Sequence, residues 1–241
     1  MSQEFAKYRQ RGAYHWREAS LHPIDGWPYT RSRIGWAARQ CAGSRTVLEI
    51  GCGDGALLGR LARQGAVVTG VDSDETALAL AREMFARAGL SGAFHPDLAS
   101  VTHDQFDAVV LAEVIEHVND PDSLLGEIAA RLAPTGRLVL TTPIRLFEQP
   151  LDPHHVHEFW PAELEALLRR FFDDVRIIRM HPAWLVDLMC GGVGRVRPVA
   201  VLANLVRLAT GLEVIDWFKS PVALFWTQAA VAVGARRARA R

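Results

Sequence analysis

Acidic residues and glycines at the ends of short apolar runs are the first residues that suggest chemistry. The stretch "VLEIGCGDG" (47–55) places Glu49 just before three glycines, which are Gly51, Gly53 and Gly55. A glycine-rich turn between a strand and a helix lets a ligand approach the backbone, and an acid about twenty residues later can accept both hydroxyls of a ribose. Asp72 stands at that distance. The spacing predicts a nucleotide-like ligand at this turn, although one glycine turn is a weak signal.

A second set of polar residues combines glutamates and histidines. In "AEVIEHVND", Glu113, Glu116 and His117 would share one face if the segment turned helically. The later stretch "LDPHHVHEF" contains three histidines and Glu158. Both segments follow apolar runs, and strand ends in an open α/β sheet face the ligand crevice. We therefore expect the two segments to meet at one edge of the sheet.

This glutamate and histidine set has three open interpretations. Glu113, Glu116, His117 and His155 would suit a divalent ion such as Mg²⁺ or a softer metal. Alternatively, His155, His117 or His157 acts as a general base beside Glu116, because neutral imidazole accepts a proton near pH 7. In the third interpretation, these side chains only line a pocket and cap turns.

The elements that would position these residues alternate between two kinds of segment. Five runs rich in Val, Ile and Leu predict strands: Val47–Ile50, Val67–Val71, Phe106–Ala112, Arg137–Thr141 and Val175–Met180. Helical spacing predicts four helices: Ala56–Gln64, Glu75–Ala88, Ser123–Ala133 and Pro161–Phe172. Strands alternating with helices indicate an α/β fold, with a mostly parallel sheet that helices cover on both faces.

Composition narrows the functional classes. The chain has 241 residues and equal numbers of basic and acidic residues, 27 each, so its formal net charge is zero. Nucleic-acid-binding proteins are usually basic, and we expect no nucleic-acid partner. Three scattered cysteines and a charged, aromatic start without an apolar leader favour a cytoplasmic protein.

Four stretches in order make the chain similar to class I S-adenosylmethionine-dependent methyltransferases. They are "VLEIGCGDG", "VVTGVD", "FDAVVLAEVIEHVNDP" and "GRLVLTTP", and the resemblance covers about residues 45–180. It implies a Rossmann-like sheet of seven strands whose final strand is antiparallel, with "VRIIRM" and "FWTQAAVAV" as the last two strands. We therefore expect one domain with five parts: an N-terminal lid (1–45), a cofactor-binding core (46–180), an insertion or substrate lid (181–222), the last strand (223–235) and a basic tail (236–241).

The resemblance also implies roles for individual residues. The glycine turn, including Cys52, would hold the amino-acid end of the cofactor, while Glu49 and Glu113 would line its pocket. Asp72 with Ser73 would hold the ribose, and Asp97 with Leu98 would lie at the adenine. The "EVIEH" segment is similar to segments of quinone-ring O-methyltransferases and small-RNA 2′-O-methyltransferases that hold a metal ion. His155 is the closest match to a further histidine of the latter group.

The acceptor is the least determined part of the prediction. We expect O-methylation of a small molecule: a sugar, a natural product or a lipid-linked intermediate. Aromatic and basic residues of the N-terminal segment suit either an anionic or sugar-like acceptor or a simple lid; they are Tyr14, His15, Trp16, Trp27, Tyr29, Arg31 and Arg33. The rival functions are an NAD-dependent oxidoreductase and a non-catalytic cofactor-binding regulatory subunit.

The insertion contains an apolar helix with a narrow polar stripe, formed by Asn204, Arg207 and Thr210. Three uses of such a helix remain open. It would contact a hydrophobic acceptor, lie peripherally on the inner face of a membrane, or form a homodimer interface.

Overall fold

The fold is built around one seven-stranded sheet. A computed structural model describes residues 6–103, 105–150, 152–190, 197–216 and 225–235. The strands are β1 (Thr46–Ile50), β2 (Val67–Val71), β3 (Ala93–His95), β4 (Phe106–Ala112), β5 (Leu132–Pro143), β6 (Phe172–Pro182) and β7 (Phe225–Ala235). Their order across the sheet is β3-β2-β1-β4-β5-β7-β6.

Nine helices of the described chain surround the sheet. They are α1 (Ala6–Arg11), α2 (Tyr14–Glu18), α3 (Pro28–Gln40), α4 (Ala56–Ala62), α5 (Glu75–Arg87), α6 (Pro121–Arg131), α7 (Pro161–Leu168), α8 (Ala183–Cys190) and α9 (Pro198–Thr210). Alternate residues of the central strands point to opposite faces, so Leu48 lies in one core cluster and Val47 in the other. Helices therefore cover both faces, as the sequence predicts.

The antiparallel end of the sheet is confirmed. β7 lies between β5 and β6 and pairs antiparallel with both. The remaining strand pairs are parallel. β6 and the carboxyl end of β5 extend beyond their predicted bounds because β7 is long enough to pair with them. β5 also begins earlier than predicted, at Leu132, which pairs with Phe106 of β4.

Capping explains where α6 begins. The Asp120 side chain accepts a hydrogen bond from the Ser123 N–H (3.0 Å), and Pro121 occupies the first helical position. An aspartate cap followed by proline is a strong start for a helix. The helix therefore begins at Pro121, as the Asp120–Pro121 pair in the sequence indicates, two residues before the helical stretch Ser123–Ala133.

The N-terminal segment and the insertion pack together. Arg31 of α3 donates to both carboxylate oxygens of Glu213 (2.6 and 3.0 Å) and to Oδ1 of Asn204 (2.8 Å). The Asn204 amide donates in turn to the carbonyls of Pro23 and Gly26, each at 2.8 Å. A separate apolar cluster surrounds this network. The N-terminal segment and the insertion thus form one layer against the sheet.

This packing shows what covers the polar stripe on α9, and the three expected uses of the helix stay predictions. Asn204 is only 1% exposed and is bound to the N-terminal segment, so it does not face an acceptor or a membrane. Thr210 donates to the Val206 carbonyl one turn earlier. The exposed side of α9 is apolar instead, with Leu202, Leu205 and Leu208 about half exposed or more.

Apart from single residues of the core, four predicted segments fall partly or wholly outside the described residues. These are the basic tail (236–241), residues 1–5 of the N-terminal lid, residues 191–196 and 217–222 of the insertion, and residues 223–224 of the last strand. Among the helices of the described chain, none combines the length and hydropathy needed to cross a membrane.

Candidate active site

A cavity of about 490 Å³ lies at the carboxyl ends of β1, β2, β4 and β5. Open α/β sheets bind their ligands at this edge. Residues of the N-terminal segment, of the glycine turn and of the loop after β5 line it together. The predicted residues that line it are Glu49, Gly51, Cys52, Asp72, Glu113, Glu116, His117 and His155.

The glycine turn has a backbone that other residues would strain. Gly51 and Gly53 have φ angles of +71° and +54°, in the left-handed region that favours glycine. A Cβ on Gly51 would lie 2.4 Å from a methyl of Val114, and one on Gly53 would lie 1.9 Å from the Tyr8 hydroxyl. The close approach at this turn is therefore made partly by the protein's own side chains.

Asp72 holds the glycine turn in place. Its two carboxylate oxygens accept hydrogen bonds from the N–H groups of Gly53 (2.8 Å) and Asp74 (2.9 Å). Burial raises the Asp72 pKa, although these two backbone hydrogen bonds act in the opposite direction. A carboxylate has about four acceptor positions, so Asp72 retains capacity for ribose hydroxyls.

Glu49 is buried at the end of β1, and its Oε2 atom has no hydrogen-bond partner among the described residues. Burial raises its pKa well above the ordinary value, and the nearby Asp54 and Asp72 add to this effect. An unpaired buried oxygen is costly unless a ligand satisfies it. A cationic amino group of a ligand would supply that partner.

The N-terminal segment closes over the glycine turn through Asp54, a residue that the sequence prediction missed. The Asp54 carboxylate accepts a hydrogen bond from the His15 N–H (2.9 Å), and its carbonyl accepts one from the Trp16 indole (2.6 Å). Tyr8 covers Gly53 from the same side. Part of the N-terminal segment thus packs on the glycine-turn side of the cavity.

Glu113 differs from the sequence prediction. It has a left-handed backbone (φ +60°), so the helical turn starts only at the short 3₁₀ segment Ile115–His117. Its carboxylate pairs with the Arg33 guanidinium at 2.9 Å. Burial alone would lower the Arg33 pKa, but Glu113 and other nearby groups raise it overall. Glu113 therefore neutralises Arg33 and does not join Glu116 and His117 on one helical face.

Glu116 is the most buried acid of the histidine cluster. Its Oε2 accepts a hydrogen bond from the Thr142 hydroxyl (2.9 Å), while its Oε1 has no partner among the described residues. Burial, with Glu113 nearby, raises the Glu116 pKa well above its ordinary value. The Glu116 carbonyl accepts hydrogen bonds from the Val156 and His157 N–H groups, which ties the histidine loop to the end of β4.

His155 is oriented by a buried glutamate. Its Nδ1 lies 2.7 Å from Oε1 of Glu158, which is 5% exposed. A carboxylate can only accept, so Nδ1 carries the proton and Nε2 is the basic nitrogen. Glu116, His117 and His155 also offer ligand atoms within 4.8 Å of one another. The sequence places Glu158 near this edge but gives no indication that it would orient His155.

The other predicted cofactor-binding and catalytic residues lie outside the cavity lining, whereas Tyr14, His15 and Arg33 of the N-terminal segment belong to it. His157 is 46% exposed, packs on Phe159 and lies 4.0 Å from Glu163. Asp97 is exposed and accepts hydrogen bonds from Ser100, and the Leu98 carbonyl accepts one from Arg131. Ser73 is exposed, and Gly55 caps α4 in a left-handed conformation. Their roles in binding stay predictions.

The charge of the cavity favours a cation. Eight acidic side chains line it, against only two basic ones, Lys7 and Arg33. Arg31, which the sequence analysis groups with the acceptor residues, is bound to Glu213 on another face of α3. The charges of the described lining residues therefore favour a cationic ligand over an anionic one.

The sequence profile of a family described as "Methyltransferase domain" matches residues 29–215, which is most of the chain. The chain belongs to this family. The prediction of a class I methyltransferase is confirmed, and the NAD-dependent oxidoreductase is no longer a competing interpretation.

Curated relatives include a ubiquinone biosynthesis O-methyltransferase from Aeromonas salmonicida. It is 34% identical over 146 residues, which is 58% of this chain and 60% of the relative. The chain thus aligns with about three fifths of the length of the curated relatives that it matches. The similarity to quinone O-methyltransferases is confirmed at this level.

Solved structures share the fold at low sequence identity. Phosphoethanolamine N-methyltransferase 2 from Haemonchus contortus, in complex with S-adenosyl-L-methionine, superposes with a TM-score of 0.63 at 17% identity, covering 96% of this chain and 60% of that one. An S-adenosylmethionine-dependent methyltransferase from Archaeoglobus fulgidus gives 0.60 at 20% identity, covering 87% and 96%. The Rossmann-like fold is confirmed.

Proposed function

We propose that the protein transfers a methyl group from S-adenosylmethionine to a hydroxyl of a small molecule. The observation that supports this proposal best is the His155–Glu158 pair in the cavity that Glu49 and Asp72 also line. The pair would remove the hydroxyl proton on the acceptor side while the two acids hold the methyl donor.

Glu49 and Asp72 fit the proposed cofactor. The amino group of S-adenosylmethionine would satisfy Oε2 of Glu49, and its ribose hydroxyls would bind Asp72. The excess of acidic side chains stabilises a sulfonium cation. The cofactor supplies an activated methyl, and the protein mainly has to align it with the acceptor oxygen.

Proton removal is the chemical step for which this chain has its own residues. As the methyl group moves, the acceptor oxygen becomes more acidic, and Nε2 of His155 takes its proton. Glu158 then stabilises the imidazolium through Nδ1–H. The curated relatives named O-methyltransferases support oxygen as the methylated atom.

A divalent metal is a second candidate for the same cluster. Glu116, His117 and His155 meet the geometric requirement, and the unpaired Oε1 of Glu116 suits a cation. A metal would lower the pKa of the acceptor hydroxyl, so that less basicity is needed from His155. Glu158 would orient His155 in either case.

Cofactor binding is tested first, by calorimetry with S-adenosylhomocysteine and with NAD. Saturable binding of S-adenosylhomocysteine alone supports the proposal, whereas binding of NAD alone would overturn it. Incubation of cell extract with labelled S-adenosylmethionine and mass spectrometry then identifies the acceptor. Tight binding without any transfer would favour the regulatory subunit.

The role of His155 is tested with His155→Ala. We expect kcat to fall by about 10²–10⁴-fold while S-adenosylhomocysteine still binds, because general-base catalysis has this magnitude. His157→Ala is the matched variant in the same loop, and its exposed position predicts little change. Equal activity in both variants would refute the general-base assignment.

Metal chelation separates the two candidates. If activity survives a strong chelator, the general base acts without a metal. If activity is lost and returns with one particular divalent ion, Glu116→Gln should weaken the binding of that ion.

A further inference from the structure

A second cavity, of about 330 Å³, lies on the other side of α3 from the active-site cavity. Residues of α3, α4 and the end of the insertion line it: Arg31, Ser32, Gly35, Arg39, Arg60, Arg207, Gly211, Leu212, Glu213 and Asp216. Its lining contains four arginines and two acids. Neither the family nor the proposed methyl transfer accounts for this concentration of guanidinium groups.

The helix α3 separates the two cavities. Arg31, Gly35 and Arg39 are spaced four residues apart and share one face of the helix. Arg33 and Ala37 lie on another face and line the active-site cavity. The second cavity is therefore a separate site, although the two share one helix as a wall.

The two acids of this cavity already have partners. Glu213 accepts two hydrogen bonds from Arg31, which neutralises that arginine. Asp216 accepts a short hydrogen bond from the Ser32 hydroxyl, and Arg39 lies 3.8 Å from its other oxygen. Neither carboxylate is available to neutralise a further arginine fully.

Three arginines are left with incomplete partners. Guanidinium atoms of Arg39 and Arg60 both lie 3.4 Å from the point above Gly35 where a Cβ would be, so the two side chains converge there. Arg60 makes no ion pair with any residue that the structure describes. Arg207 lies 3.8 Å from Glu213, and its buried Nε has no hydrogen-bond acceptor within the described chain.

The electrostatics agree with this geometry. Partial burial lowers the Arg60 pKa, and the nearby Arg39 and Arg207 lower it further. Like charges that converge in a partly enclosed space repel each other, and an anion bound between them would offset this repulsion.

We propose that this cavity binds a phosphate group through Arg39, Arg60 and Arg207. Guanidinium groups bind phosphate oxygens with paired hydrogen bonds. Three of them in one cavity lining suit a dianionic phosphate better than a singly charged carboxylate. The cavity is larger than one phosphate ion, so the group would belong to a phosphomonoester or to a lipid headgroup. The exposed Leu212 in the cavity lining would suit an acyl chain in the second case.

The test measures binding of inorganic phosphate by calorimetry at constant ionic strength. Saturating S-adenosylhomocysteine is present, so that the active-site cavity is filled. We expect saturable binding to the wild type, at least about tenfold weaker binding to Arg60→Ala, and partial recovery in Arg60→Lys, which keeps the charge but not the planar fork. Arg45→Ala removes one positive charge at a side chain that is 92% exposed, and it should bind like the wild type.

Circular dichroism establishes that each variant is folded. No saturable phosphate binding by the wild type, or equal binding by wild type and Arg60→Ala, would overturn the proposal. Because the readout is anion binding and not methyl transfer, a failure here leaves the proposed function untouched.

Vesicles identify the source of the phosphate. Co-sedimentation with phosphatidic acid vesicles but not with phosphatidylcholine vesicles, lost in Arg60→Ala, supports a lipid headgroup. Phosphate binding without vesicle binding supports a soluble phosphomonoester. Vesicle binding that is equal in wild type and Arg60→Ala counts against this cavity as the lipid site.

Discussion

Replacing Asn204 with alanine should weaken the packing of the N-terminal segment against the insertion. The Asn204 amide donates two hydrogen bonds, to the carbonyls of Gly26 and Pro23, and its oxygen accepts one from Arg31. In Asn204→Ala, Arg31 keeps Glu213 as its partner, but both carbonyls lose their donor. This variant tests whether the buried hydrogen-bond network stabilises the packing of the N-terminal segment on the insertion.

The expected loss of stability follows from the burial of the two carbonyls that lose their donor. An unsatisfied buried carbonyl costs about 1–3 kcal/mol. Gly26 is buried, whereas Pro23 is half-buried, so water partly replaces the bond to the latter. We expect a loss of about 2–4 kcal/mol in the free energy of unfolding. For a chain of this size, that is a Tm lower by roughly 4–16 °C.

Thermal unfolding monitored by circular dichroism measures the change. Asn119→Ala is the matched control, because Asn119 is exposed and its replacement should stay within about 0.5 kcal/mol. Limited trypsin digestion gives a second readout, since Arg9 and Arg11 should be cleaved faster in Asn204→Ala. A Tm within about 1 °C of the wild type would refute the stabilising role of the network.

Two further predictions concern Asp72 and His181. Asp72→Asn should weaken S-adenosylhomocysteine binding by about 10–100-fold in calorimetry, because the amide places a donor against a backbone N–H and removes the charge. Asp97→Asn, at an exposed position, should have a smaller effect on the same affinity. Equal losses of affinity would show that Asp97 also binds. Burial, helped by the positive charge of Arg33, lowers the pKa of His181 to about 3. Between pH 6.5 and about 3 the unfolded state therefore binds more protons at this site than the folded state does. The free energy of unfolding thus decreases as the pH is lowered, by up to about 1.4 kcal/mol per pH unit. His181→Asn tolerates the left-handed backbone at this position (φ +58°). Denaturant titrations should show a shallower acid loss for it, and an unchanged slope would contradict the assignment.

The sheet and the cofactor side of the cavity were predictable from the sequence. Apolar runs of four to seven residues, separated by amphipathic stretches, determine the strand and helix types. Glu49 lies near the end of such a run and Asp72 follows one directly, and the carboxyl ends of parallel strands meet at one edge. Local patterns therefore sufficed to bring these two acids together.

The acceptor side depended on contacts that no local pattern encodes. Glu113 adopts a left-handed backbone and pairs with Arg33, which is 80 residues earlier in the chain. The predicted helical face required right-handed geometry from Glu113 onward. Neither residue's immediate neighbours indicate the ion pair.

The insertion shows the same limit. The sequence correctly indicates a polar stripe on an apolar helix, but periodicity cannot identify the surface that covers the stripe. The carbonyls of Pro23 and Gly26 cover Asn204, and they lie about 180 residues away in the sequence. Only the three-dimensional arrangement connects these positions.

The position of β7 between β5 and β6 has a consequence for the synthesis of the chain. β7 pairs with β5 on one side and β6 on the other, for example Ala230 with Leu140 and Ile177. While a ribosome has not yet released residues 225–235, β5 therefore keeps an open edge and β6 has no neighbouring strand. Open edges of nascent sheets are prone to pair with other chains. The nascent sheet is thus most open to such pairing in the interval between the synthesis of β6 and that of β7.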